Sequence, residues 1–150
     1  TCMKYFTKLL ILLLIAVALV SCEKQEYFKS ESQVKKDLAY SWKQVVMSRK
    51  YYATKYEIWK FQEDSLIITF TNDSLMDNNY SPLYVVRGKY SVKTTMTKVF
   101  INVSDFPDNQ GSYYFNSEWT VVSLDSKGLV IASEDPNAGG INEREFTRID

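Results

Sequence analysis

The chain has 150 residues, 18 Lys and Arg against 18 Asp and Glu, and a formal net charge of zero. That length suits one packed domain, and charges balanced without a basic stripe argue against a nucleic-acid partner. Histidine is absent, which excludes a Ser-His-Asp or Cys-His nucleophile system and any histidine-ligated zinc. Carboxylate, lysine and tyrosine chemistry stays open, and a buried carboxylate pair would point to an enzyme; without one we expect no catalytic residue, no metal, no cofactor and a protein that is not an enzyme.

Lys4 and Lys8 form a cationic leader, and Leu9 to Val20 is an unbroken apolar run. As a helix that run is roughly 18 Å long at ~1.5 Å per residue, short of the roughly 30 Å a spanning helix covers. A signal peptide ending at the small residue Ser21 fits it better. The stretch Leu19-Val20-Ser21-Cys22 resembles the lipobox of bacterial lipoproteins. That resemblance implies a signal peptide over 1–21, palmitate and related acyl chains on Cys22, and an outer-membrane anchor facing the periplasm or the cell surface. Each buried CH₂ contributes ~0.8 kcal/mol, and stable attachment takes more than one chain. Cys22 would then be the one cysteine of the mature chain, so no internal disulfide is expected and stability must come from burial.

Residues 22–37 read as a polar tether and a short helix, in which Ser32 is placed to cap and Val34 and Leu38 share a face. From residue 38 to 150 the period changes to two. The pattern predicts eight strands, at 41–48, 56–62, 66–71, 83–93, 97–104, 117–124, 128–133 and 143–149. In the fourth, Tyr84, Val86, Gly88, Tyr90 and Val92 alternate with Arg87, Lys89, Ser91 and Lys93, which puts apolar and polar residues on opposite faces. Gly88 within that strand suggests a bend or bulge.

The connections alternate in length. Glu63-Asp64-Ser65, the residues around Thr94-Thr95-Met96, and Asp125-Ser126-Lys127 are hairpin turns. Residues 49–55, 72–82, 105–116 and 134–142 are longer. In an up-and-down meander this gathers the long loops at one end and the turns at the other. Closure removes exposed edges, so the expected fold is all-β, an eight-stranded antiparallel up-and-down barrel with one elaborated mouth.

Leu38-Ala39-Tyr40-Ser41-Trp42, Trp59-Lys60-Phe61, Gly88-Lys89-Tyr90-Ser91-Val92, Trp119-Thr120-Val121-Val122-Ser123-Leu124 and Arg144-Glu145-Phe146-Thr147-Arg148 occur in that order. Together they resemble the lipocalin-like lipoproteins of Bacteroidota. The resemblance implies that Trp42 and Arg148 pack together at the closed end, a guanidinium over an aromatic face. Tyr40 stands where lipocalins proper have a glycine.

The inward aromatics should be Trp59, Phe61, Phe70, Tyr84, Tyr90 and Trp119. An eight-strand barrel is wide enough either to be filled by its side chains or to hold one small ligand; in the second case these six line the cavity. The loop 105–116 carries Phe106, Tyr113, Tyr114 and Phe115 among turn formers. It reads either as a mouth loop that contacts a ligand or partner, or as a loop that folds its aromatics back onto the barrel. Asp105, Asp108 and Asn109 lack EF-hand spacing for calcium. Two functions follow: a lipid-anchored barrel binding a small, partly apolar ligand at its mouth, or a rigid module whose loop 105–116 docks on an envelope protein or glycan.

Overall fold

The structure is a computed structural model that describes residues 29–45, 55–73, 80–107, 115–134 and 140–150. Residues 1–28, Cys22 among them, and parts of the long loops lie outside these residues. A short helix, α1 (Glu31–Leu38), precedes eight strands: β1 (Ser41–Val45), β2 (Tyr56–Gln62), β3 (Ser65–Thr71), β4 (Tyr84–Thr94), β5 (Val99–Ser104), β6 (Glu118–Leu124), β7 (Gly128–Glu134) and β8 (Ile141–Arg148). Each strand pairs with the next, and β1 pairs with β8 through Trp42↔Arg148 and Lys43↔Thr147, closing the barrel. The sequence-predicted architecture is therefore the observed one, with the tight turns at one end and the long connections at the other.

Strand alternation explains the core. Trp42, Trp59, Phe61, Leu66, Ile68, Phe70, Tyr90 and Ile101 point inward and are buried. On the outside of β1–β3 the alternation fades: Lys43, Ile58, Thr69 and Thr71 are buried as well. Strands covered on both faces read as continuous runs, as Leu66-Ile67-Ile68-Thr69-Phe70 does.

The turn end is closed by α1. Its N-cap is Ser30, whose Oγ accepts from the Gln33 N–H at 3.3 Å; Ser32, the expected cap, falls two residues later, in the first turn. Val34 and Leu38 enter the barrel core, so the helix belongs to the packed body rather than to a tether. The Lys35 ammonium meets Asp64 of the β2–β3 turn at 2.8 Å, and this hydrogen bond holds the Asp64 carboxyl below the usual carboxylate range. Trp42 donates its indole N–H to the Leu38 carbonyl at 3.0 Å. Arg148 does lie over an aromatic face, but the face is that of Tyr40, with Cζ 3.3 Å from the ring centre. Trp42 meets that same Tyr40 ring in a T-shaped contact, ring centres 6.4 Å apart, and is the register partner of Arg148.

Gly88 marks no bulge against β3, for the β3–β4 register runs unbroken through Leu66↔Gly88. The irregularity lies in β6, between Val121 and Ser123. What Gly88 provides is room. A Cβ there would lie 2.3 Å from two carbons of the Phe106 ring and 2.6 Å from the Ser104 carbonyl oxygen. Gly88→Ala is therefore expected to cost about 1–3 kcal/mol through overpacking and to push Phe106 outward. Urea unfolding reads the first effect, and an unchanged midpoint would refute the close approach.

Candidate functional site

The mouth is built on the ends of β1, β2, β7 and β8 and on the base of the loop between β5 and β6. Asp105 turns the chain out of β5 with φ of 63°, and its carboxylate pairs with Lys89 at 2.8 Å. Asn116 then clamps the loop: its Oδ1 accepts from the Phe106 N–H and its Nδ2 donates to the Phe106 carbonyl, both at 3.0 Å. Trp119 donates its indole N–H to the Phe115 carbonyl at 3.1 Å. The clamp swings Phe106 and Phe115 into the barrel, their ring centres 5.5 Å apart and both buried. Of the four aromatics assigned to the mouth loop, these two fold inward, and Tyr113 and Tyr114 lie outside the described residues. A docking surface on this loop would have to do without Phe106 and Phe115.

Five of the six aromatics assigned to the interior, all but Tyr84, are buried there. They fill space against one another. The Trp59 ring meets Phe61 at 6.3 Å, Trp119 at 5.8 Å, Phe115 at 6.0 Å and Phe146 at 5.2 Å. Phe61 meets Tyr90 edge-on at 4.9 Å, and burial pushes the Tyr90 phenol pKa up. Phe70 lies 6.2 Å from Phe115. Tyr84 differs, being about half exposed at the mouth rim beside Leu83 and Val85. Side chains thus occupy the interior from α1 past Trp59 to Phe70, the register partner of Glu57.

On the mouth side of Trp59, polar side chains join the apolar rings of Phe70 and Phe115. Gln44 of β1 and Glu57 of β2 are register partners on the inward face, Ser133 of β7 is buried, and Arg144 of β8 completes the group. Arg144 Nη1 donates to Glu57 Oε1 at 2.8 Å, the two side chains 14 % and 3 % exposed. The same Glu57 oxygen accepts the Trp59 indole N–H. Three rings surround the guanidinium, Trp119 at 5.2 Å, Phe115 at 5.4 Å and Trp59 at 5.5 Å from Cζ. Its Nε is buried without a hydrogen-bond partner. A cation there gains from the ring quadrupoles, yet each buried charge and each unmet donor costs free energy.

Neither Glu57 nor Arg144 was among the expected site residues. The signal was available: Glu57 shares parity with Trp59 and Phe61, and Arg144 with Phe146, so each is a charge in an inward register.

No group of three or more His, Cys, Asp or Glu able to hold a metal occurs among the described residues. Among them, no helix is long and apolar enough to cross a membrane. No protein-family model matches the chain, and neither curated proteins nor solved structures give a match. The class of protein is set by geometry alone: an eight-stranded antiparallel barrel, closed by a helix at one end and carrying a buried charged pair toward the other.

Proposed function

We propose that this protein is a lipid-anchored cell-envelope barrel, related to lipocalin-like lipoproteins, that binds a small, partly apolar molecule at its loop-rich mouth. It acts as a binding protein, with no chemical step. The observation that supports this reading is the layer of Gln44, Glu57, Ser133 and Arg144 set among the rings of Trp59, Phe70, Phe115 and Trp119. Ligand sites are mostly apolar with a few placed polar groups that fix orientation, and this layer has that composition. The filled lower interior restricts the ligand to the mouth side of Trp59. Anchoring at Cys22 puts the closed end toward the membrane and turns the mouth away from it.

The test is a titration of the isotope-labelled full chain with small amphiphilic aromatics, followed by NMR. Shifts should cluster at Gln44, Glu57, Ser133 and Arg144 and leave Leu129 and Val99 at their free positions. Changes confined to the outer surface, or none, would overturn the reading. For the anchor, labelled palmitate should enter the wild-type chain in a lipoprotein-processing host and be lost in Cys22→Ser; equal labelling of both would refute it.

A further inference from the structure

We infer that Arg144 is the polar recognition residue of this mouth site, and that it selects ligands bearing an uncharged hydrogen-bond acceptor over free carboxylates. The inference rests on the ligand-binding reading above and names the ligand's chemistry. The guanidinium has a buried donor, Nε, with no partner, so a carbonyl, amide or hydroxyl oxygen brought to it would meet a need the protein leaves open. Its charge, in contrast, is already answered by Glu57 at 2.8 Å. A carboxylate would add a third charge beside Glu57 in a site shielded from water, and repulsion from Glu57 would offset its attraction to Arg144.

The rings around the guanidinium define the rest of the ligand. Trp59, Trp119 and Phe115 stand within 5.2–5.5 Å of Cζ, so a flat apolar body would stack where they already supply faces and edges. Phe115 is the one of the three carried by a loop.

Naphthylacetamide and naphthylacetate share a ring system and a carbonyl and differ in charge, which makes them a matched pair of probes. Calorimetry on the full chain should give affinity for the amide about tenfold above that for the acid. In Glu57→Gln the Trp59 N–H keeps an oxygen acceptor while the Arg144 charge loses its counter-ion, and the preference should reverse toward the acid. Binding of both probes with the same ratio in wild type and Glu57→Gln would overturn the role of Arg144 and leave the mouth as a ligand site. Binding of neither probe, with no NMR shifts at the mouth from any amphiphilic aromatic, would overturn the ligand-binding reading itself. Far-ultraviolet circular dichroism checks that Glu57→Gln is folded; should it unfold, Glu57→Asp replaces it, expected to narrow the amide preference by moving the carboxylate back, and an unchanged ratio would again overturn the proposal.

Discussion

Replacing Arg144 with methionine should lower the stability of the barrel by about 3–5 kcal/mol, the cost of leaving a buried carboxylate without its partner. Glu57 is 3 % exposed and can recover little hydration once the guanidinium is gone. The indole N–H of Trp59 would remain its donor, a single hydrogen bond with no counter-charge beside it. The double variant Arg144→Met with Glu57→Gln removes the stranded charge and keeps an acceptor for Trp59, so it should recover more than half of the loss. Urea midpoints of the wild type, the two single variants and the double variant form a cycle that isolates the pair. A loss under about 1 kcal/mol in Arg144→Met would place the pair among exposed ion pairs and contradict its burial.

Trp59→Ala should be at least as damaging, at about 3–5 kcal/mol, the range for truncating a large buried aromatic. Its ring touches Phe61, Phe115, Trp119 and Phe146, so the space it leaves opens onto every side of the interior. These neighbours come from β2, β6, β8 and the mouth loop, and no single strand can shift to refill it. The vacated donor also leaves Glu57 with Arg144 alone among these two partners. Met96→Ala, at the turn end with 75 % of the residue exposed, is the matched control and should change stability by no more than about 0.5 kcal/mol. Equal effects from the two substitutions would mean that Trp59 is not the centre of the core.

The sequence conveyed the barrel well because its information is local. Period-two runs such as Tyr84 to Val92 declare which face is buried, and the alternation of short and long connections orders the strands without reference to tertiary contacts. Strand ends were less legible: β8 begins at Ile141 and β5 at Val99, since solvent-exposed ends carry no burial pattern to mark them. Ser30 rather than Ser32 caps α1 because both are good caps, and the helix start is chosen by where Val34 and Leu38 must enter the core. The site was the hardest part to read. Glu57 and Arg144 lie 87 residues apart in sequence, and nothing near either one announces the other. Gly88 was legible only in part, because a strand glycine signals a bulge, a bend or close approach and only the fold shows that Phe106 is what approaches.

The closing seam has a consequence for biogenesis. Trp42 and Lys43 pair with Arg148 and Thr147, and the Ser41 carbonyl accepts from the Ile149 N–H at 3.0 Å, so the first strand waits for the last. Pairings this distant along the chain are slow to form. Until they do, the ribbon has two raw borders able to recruit a neighbouring copy. For this polypeptide the hazardous interval is the delay between making the opening strand and delivering its mate, and a helper that shields nascent chains would matter most then.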